Sequence, residues 1–211
     1  MNITEKRDLA NEAIEILEEI YPDPACSLEY SIPYQLMIAT RLAAQCTDAR
    51  VNMVTPTLFS KYPSMEALAD APIEDIENIV HSCGFYRTKA RDIKAACRML
   101  IDEFNSVVPD TMEELLKLPG VGRKTANLIL GDIYHKPAIV CDTHCIRITN
   151  LLGLTDSKNP DKVEKELLPI LPPDKSNDFC HRLVMHGRDT CVAGRPKCDK
   201  CRLNHICPSA L

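Results

Sequence analysis

The sequence LPGVGRKTA at residues 118–126 decides the fold, because it joins two helices through a very short turn. Pro119 ends the helix that apolar periodicity predicts over 111–117, since proline lacks the N–H that a helix interior needs. The glycines on either side of Val121 permit positive φ and a tight reversal of the chain. Good helix formers follow at once. The stretch therefore predicts a helix, a hairpin and a second helix.

The hairpin is a candidate site for phosphate. After Gly120, Val121 and Gly122, the first N–H groups of the new helix lack intrahelical partners, and the helix dipole puts partial positive charge there. Such a place can bind phosphate without a side chain. A Gly-x-Gly pattern alone is also typical of an ordinary helix–helix turn. The Arg123 and Lys124 that follow make the pattern more specific.

Lys124 is a candidate nucleophile in the first turn of the second helix. The positive end of the helix dipole disfavours an ammonium there, and burial would disfavour it further. A lysine that holds a free amine is a nucleophile for Schiff-base chemistry. A surface lysine that binds phosphate is the commoner interpretation in general.

Apolar residues recur at helical spacing along almost the whole chain, beginning with residues 5–20. Prolines and glycines, Pro56 among them, are predicted to break the helices. Strand signals are poor, and Ala138–Val140 is the only extended candidate. The chain is therefore predicted to be all-α, with roughly ten short helices. The other predicted segments lie near 34–45, 51–60, 64–70, 73–81, 87–104, 111–117, 123–134, 143–152, 160–170 and 176–189.

Composition excludes several classes of protein. The 211 residues are 45% hydrophobic and 26% charged, which is the balance of a globular chain and not of a disordered, collagen-like or low-complexity one. No run of about 18 apolar residues is present, and the acids among the apolar residues of 1–20 differ from a secretory signal. We therefore expect a protein with no membrane partner.

Charge is distributed unevenly. The formal net charge of −5 by itself argues against binding to nucleic acid. However, residues 83–100 hold five basic and one acidic residue, 115–150 hold five and two, and 181–211 hold six and two. These blocks fit ordinary solvated helix faces, and they also fit one basic face on an acidic protein.

Eleven cysteines in a chain without an export signal favour metal binding or catalysis over a disulfide framework. Four of them form a C-x6-C-x2-C-x5-C pattern: Cys191, Cys198, Cys201 and Cys207. Zinc usually takes two close pairs of ligands, whereas this pattern has one. The spacing therefore favours a four-iron cluster, with zinc as the serious alternative. Arg195 and Lys197 lie in the loop between the first two cysteines, where they can contact phosphate.

Together, these stretches resemble the endonuclease III family, DNA glycosylases of the helix-hairpin-helix class. The resemblance is carried by LPGVGRKTAN at 118–127, VCDTHCIR at 140–147 and the HGRDTC that opens the four-cysteine pattern. It covers nearly the whole chain, from LAAQCTDARVN at 42–52 to Cys207.

The resemblance implies a two-lobed all-α fold. One lobe, residues 25–136, would be a six-helix bundle that contains the helix-hairpin-helix motif. The other, residues 1–24 with 137–211, would hold a [4Fe-4S] cluster on the four cysteines. DNA would lie in the cleft between the two lobes.

The resemblance also assigns roles to single residues. Lys124 falls where the family has its nucleophile, and Asp142 falls where it has its essential aspartate. Gln45 matches the residue that fills the gap left by an extruded nucleotide. Phe85 stands in the place of a wedge-forming leucine, a mild departure because both side chains are apolar. Without the resemblance, Asp142 is interpreted as the N-cap of a predicted helix, and the two roles are compatible.

The implied function is base-excision repair. The enzyme would remove oxidised pyrimidines from duplex DNA and cut the abasic site by β-elimination through a lysine Schiff base. Relatives that only remove adenine from mismatches lack this lysine, so Lys124 favours a combined glycosylase and abasic-site lyase. We expect a monomer in the cytoplasm of a prokaryote, associated with the nucleoid, whose partner is double-stranded DNA with damaged pyrimidines or abasic sites. The alternatives are a non-catalytic helix-hairpin-helix DNA-binding module and an iron–sulfur redox protein.

Overall fold

The computed structural model describes residues 1–210, and the regular structure within them is entirely helical. The predicted all-α fold is confirmed. The helices are α1 (Ile3–Ile20), α2 (Pro33–Ala43), α3 (Asp48–Lys61), α4 (Met65–Asp70), α5 (Ile73–Val80), α6 (Tyr86–Phe104), α7 (Met112–Leu115), α8 (Arg123–Asp132), α9 (Thr143–Leu151), α10 (Pro160–Leu167) and α11 (Ser176–Asp189). Short 3₁₀ turns cover His81–Cys83, Pro173–Lys175, Cys198–Lys200 and Asn204–Ile206.

Local sequence sets where the helices begin. Asn2 and Glu5 form a capping box at α1: the Asn2 side chain accepts from the Glu5 N–H at 3.0 Å, and the Glu5 carboxylate accepts from the Asn2 N–H at 2.8 Å. At α3 and α4 the hydroxyl groups of Thr47 and Ser64 accept from the N–H groups of Arg50 and Ala67. These caps satisfy N–H groups that a helix start leaves without partners.

Pro56 does not break a helix, contrary to the prediction. It lies inside α3, which continues to Lys61. Its ring is on the exposed face, whereas Val51, Val54 and Leu58 form the buried face of the same helix. Burial of that apolar face outweighs the hydrogen bond that proline cannot make.

The chain divides into two compact units. One unit is Cys26–Tyr134, which contains α2 to α8. In this unit α2 packs against α3, α6 and α8, so that seven of its eleven residues are buried. α6 packs against α4 and α5, and the single turn of α7 packs against α8. The unit thus holds six longer helices and the one-turn helix that leads into the hairpin.

The second unit joins Met1–Ala25 to His135–Leu211. In it α11 packs against α1 and α9, and Leu17, Phe179 and Leu183 are completely buried. Within residues 1–210, no helix has both the length and the apolar character needed to cross a bilayer.

Candidate functional site

The hairpin reverses the chain between α7 and α8. Val121 donates its N–H to the Leu118 carbonyl at 3.1 Å, and both side chains are buried. Gly120 has φ +76°, whereas Gly122 has φ −100° and ψ 178°, an extended conformation open to any residue. The expectation of positive φ therefore holds for Gly120 alone.

The two glycines have different surroundings. A Cβ on Gly120 would lie 2.8 Å from Arg41 and 2.9 Å from Asp92. Those side chains form an ion pair below the turn, with the Arg41 Nη2 2.6 Å from the Asp92 Oδ2. A Cβ on Gly122 would meet nothing within 4 Å, so the backbone at the start of α8 is open to an approaching group.

Lys124 is the second residue of α8, and its side chain is exposed. The predicted position in the first turn is confirmed. The buried face of α8 begins one residue later, at Thr125, and the helix packs through that face. The Lys124 side chain therefore lies outside the packed face of α8.

Gln45 and Phe85 share an uncommon backbone conformation. Gln45 follows the end of α2 with φ +55°, and Phe85 precedes α6 with φ +47°. Both side chains are exposed, Phe85 to 66%. Positive φ is rare for residues other than glycine, and an apolar ring this exposed has few partners within its own unit.

Asp142 is the N-cap of α9, so the prediction from the residues alone is confirmed. Its Oδ1 accepts the Cys145 N–H at 2.7 Å, and its own carbonyl accepts from the Ile146 N–H at 2.9 Å. The side chain is half-buried. The carboxylate is thus held in a fixed direction by the helix that it starts.

The four C-terminal cysteines line one cavity of about 220 Å³. Among residues 1–210, no three His, Cys, Asp or Glu side chains converge closely enough to hold a single metal ion. Burial raises the pKa of Cys201, and the charges of the other three thiols raise it further. The four cysteines therefore lie close enough for their charges to interact around one cavity.

Two nitrogen-bearing side chains face these sulfurs from helices of the same unit. Arg147 on α9 points its Nη1 at the Cys191 Sγ, 3.3 Å away, and donates from Nη2 to the Cys191 carbonyl at 2.7 Å. The Nε2 of His186, on α11, lies 3.5 Å from the Cys201 Sγ. N–H groups beside sulfur stabilise the thiolate form that metals bind.

The loop between Cys191 and Cys198 is exposed and basic. Arg195 and Lys197 are both exposed, and Gly194 turns the chain with φ +76°. The Lys197 ammonium donates to the Asp189 carbonyl at 2.8 Å, and its backbone N–H donates to the Thr190 carbonyl at 3.0 Å. Lys197 thus helps to fold the loop that presents Arg195.

Comparison with known proteins gives one consistent answer. Residues 38–173 match the family model described as HhH-GPD superfamily base excision DNA repair protein. Endonuclease III of Synechocystis is 46% identical over 206 residues, which cover 97% of this chain and 94% of that protein. The chain belongs to the endonuclease III family.

Solved structures of endonuclease III have the same fold. A trapped covalent intermediate of endonuclease III with DNA superposes with a TM-score of 0.91 at 40% identity, covering 97% of this chain and 96% of that one. A non-covalent endonuclease III–DNA complex gives the same values. The chain is a base-excision-repair enzyme for oxidised pyrimidines, a bifunctional DNA glycosylase and abasic-site lyase. Endonuclease III proteins generally carry a [4Fe-4S] cluster.

Sequence reasoning missed several residues that shape this endonuclease III site. Arg41 and Asp92 support the hairpin, and Arg147 contacts a cysteine of the cluster pattern. Lys89 is completely buried beneath the segments that carry Gln45 and Phe85. Lys89 had a visible signal, because it precedes Ile93 by four residues on the apolar face of α6.

Proposed function

We propose that Lys124 is the nucleophile of this enzyme and Asp142 its second catalytic group. The observation that carries the proposal is the exposed Lys124 amine in the first turn of α8, two residues after the open backbone of Gly122. A phosphate bound at that helix N-terminus would bring the DNA backbone to the amine. The covalent endonuclease III–DNA intermediate among the relatives supports a nucleophile in this family.

The proposed reaction begins with extrusion of the damaged nucleotide, which damage makes easier by weakening its stacking and pairing. The free amine of Lys124 attacks C1′, and the bond from C1′ to the base breaks with the electron pair leaving on the base. The sugar ring then opens to a Schiff base between C1′ and Lys124. Loss of a C2′ proton breaks the C3′–O bond, and water releases the lysine from the cleaved strand.

Asp142 would act on charge and protons in this sequence. Its carboxylate stabilises the positive charge that develops on the sugar as the base leaves, or relays the proton from the Lys124 amine. The hydrogen bond from the Cys145 N–H fixes the carboxylate before substrate arrives, so no reorganisation is needed in the transition state.

Several residues outside the chemistry would hold the DNA. The backbone of Gly120, Val121 and Gly122 would bind phosphate, and Arg195 and Lys197 would add contacts from the loop. Gln45 would fill the gap left by the extruded base, and Phe85 would wedge the opposite strand. Their exposure and their positions before or after helix ends support these roles. The bacterial relatives and a duplex DNA substrate support action at the nucleoid, in the cytoplasm of a prokaryote, and we expect the enzyme to act as a monomer.

The [4Fe-4S] cluster would be held by Cys191, Cys198, Cys201 and Cys207. The single close pair in the C-x6-C-x2-C-x5-C spacing favours a cluster over zinc, and the four cysteines share one cavity of about 220 Å³. When bound, the cluster would supply a cross-link that folds the cysteine segment. Arg147 and His186 would orient the thiolates, and the folded loop would present Arg195 to phosphate.

Borohydride trapping on an abasic duplex tests the catalytic assignment. We expect the native enzyme to form a covalent complex, and Lys124→Ala to form none while it still binds the DNA. Lys117→Ala is the matched control, because Lys117 is an exposed lysine just before the hairpin, paired with Glu113 on the surface. A complex that survives Lys124→Ala would remove Lys124 from the mechanism. Binding without any trapping by the native protein would favour a non-catalytic module.

A further inference from the structure

A completely buried lysine lies under the segments that carry Gln45 and Phe85. Lys89, in the first turn of α6, has no exposed surface. Its ammonium donates to three backbone carbonyls, Leu42 at 2.9 Å, Ala44 at 2.8 Å and Cys83 at 2.9 Å. All three of its protons are therefore used within the unit Cys26–Tyr134.

The three carbonyls belong to two chain segments that are far apart in sequence. Leu42 and Ala44 end α2, and Gln45 follows directly. Cys83 ends the 3₁₀ turn His81–Cys83, and Phe85 lies two residues further on. One ammonium thus connects both segments that present side chains proposed to enter the DNA.

Burial of a cation without a carboxylate among its hydrogen-bond acceptors is costly and needs a compensating structure. The end of α2 supplies part of it, since carbonyls there have no following helical turn and carry partial negative charge. Gln45 and Phe85 also hold positive φ, which persists only where the surroundings fix the backbone. The three bonds of Lys89 provide that constraint next to both residues.

We propose that Lys89 is a positioning residue that sets the spacing between Gln45 and Phe85, so that both can enter the duplex when one nucleotide is extruded. The proposal rests on the DNA contacts proposed above for these two residues. It explains why a lysine stands on the apolar face of α6, where Ile93, Ala96 and Leu100 are all buried. An apolar residue would fill the volume and leave three carbonyls without donors.

Lys94 provides a matched control on the same helix. It is half-buried, and its ammonium donates to the carbonyls of Ala69 and Ala71 at the end of α4. Lys94 therefore joins α6 to a helix end just as Lys89 does, but beside no residue assigned to DNA. Lys94→Met measures the structural cost of removing such a lysine.

The experiment compares Lys89→Met, Lys94→Met, Gln45→Ala and Phe85→Ala on two substrates. One is a duplex with a single oxidised pyrimidine and a fluorescent 2-aminopurine beside it, which reports unstacking. The other is single-stranded abasic DNA, which offers no base pair to open. For Lys89→Met we expect single-turnover base release from the duplex to fall by about tenfold or more, with loss of the unstacking signal. Trapping on single-stranded abasic DNA should stay within about twofold of the native rate, and Lys94→Met should retain both activities.

The other outcomes would overturn either the positioning role of Lys89 or the proposed DNA contacts. Native base release by folded Lys89→Met, or equal losses on both substrates, would overturn the positioning role. If Gln45→Ala and Phe85→Ala themselves leave base release and unstacking unchanged, the proposed DNA contacts fail, independently of Lys89. Should Lys89→Met not fold, Lys89→Arg takes its place: it keeps the charge, but its planar guanidinium cannot direct three N–H groups to converging carbonyls. The same split between substrates is then expected, and its absence overturns the proposal.

Discussion

Asp142 combines a structural task with a proposed chemical one, and substitution can separate the two. Asparagine caps helices as well as aspartate does but carries no charge, whereas alanine does neither. We expect Asp142→Ala to lower the free energy of unfolding by about 1 kcal/mol, and Asp142→Asn to change it by only a few tenths. Both should slow base release by about 100-fold or more. Urea unfolding and single-turnover assays on the same preparations measure the two effects.

Asp142→Asn is the variant that separates capping from catalysis. If Asp142→Asn is as stable as the native enzyme and equally active, Asp142 is a cap and nothing more. If both variants lose activity only in proportion to lost folded protein, the same conclusion follows.

Single residues were predictable where sequence and local geometry coincide. Asp142 as an N-cap and Lys124 in the first turn of α8 follow from cap preference and helix start signals. The role of Lys89 was not predictable, because its partners are backbone carbonyls from segments about forty residues apart, which only tertiary structure brings together. Whether Lys124 is buried or exposed was not predictable, since periodicity gives the spacing of a helix face but not where along the helix packing begins.

At the scale of elements, alanine substitution should have different effects at the two glycines of the hairpin. At Gly120, alanine would suffer from positive φ and from contact with Arg41 and Asp92, so we expect a loss of about 1–2 kcal/mol in the free energy of unfolding. At Gly122, alanine meets open space in an extended conformation, and stability should stay within about 0.5 kcal/mol. Gly122→Ala should instead weaken duplex binding, because its methyl group stands where phosphate approaches.

Thermal unfolding and duplex affinity, measured on both variants, check this division. Equal stability losses for Gly120→Ala and Gly122→Ala would contradict the backbone argument. Unchanged affinity for Gly122→Ala would contradict phosphate binding at the start of α8.

The loop between Cys191 and Cys198 permits a second test at this scale. Each phosphate contact makes affinity fall more steeply with salt, so Arg195→Ala should reduce the slope of log affinity against log salt by about 1. Lys165, an exposed basic residue in the last turn of α10, serves as the control. Its replacement by alanine should leave the slope unchanged. A slope unaltered by Arg195→Ala would exclude the loop from the interface.

The positions of the helices were largely predictable, with Pro56 as the exception. The periodic segments near 87–104 and 176–189 correspond closely to α6 and α11, because long amphipathic patterns leave little choice of structure. Pro56 was predicted as a break and is not one, since a proline on the exposed face costs less than the apolar face of α3 gains. Local signals cannot weigh those two energies against each other.

For the whole molecule, net charge predicted the wrong class of partner. A net charge of −5 argued against nucleic acid, yet the chain is an endonuclease III enzyme. DNA responds to local potential and not to the sum, and the residue blocks 83–100, 115–150 and 181–211 hold the excess of basic residues. These blocks contain Phe85, Lys124 and Arg195, three of the residues proposed to act on DNA.

The four-cysteine site should control the stability of one part of the chain and leave another unaffected. We expect the purified enzyme to contain iron and acid-labile sulfide in equal amounts, and Cys207→Ser to lose both. Hydrogen exchange should then rise across residues 191–207 and at the end of α9, where Arg147 contacts Cys191 and the Leu151 carbonyl lies 3.7 Å from the Cys207 Sγ. Amides of α4 and α6, in the unit Cys26–Tyr134, should exchange as before.

Cys46→Ser is the matched control, a half-buried cysteine outside the pattern whose loss should leave the iron content unchanged. Zinc without sulfide in the native protein would replace the cluster by the single-ion site that the cysteine spacing also permits. Faster exchange throughout α4 and α6 in Cys207→Ser would show that the metal site stabilises the chain as a whole. Confinement to the cysteine segment and α9 would instead leave the hairpin of Lys124 intact, and abasic-site trapping would then report how far the chemistry depends on the loop that carries Arg195.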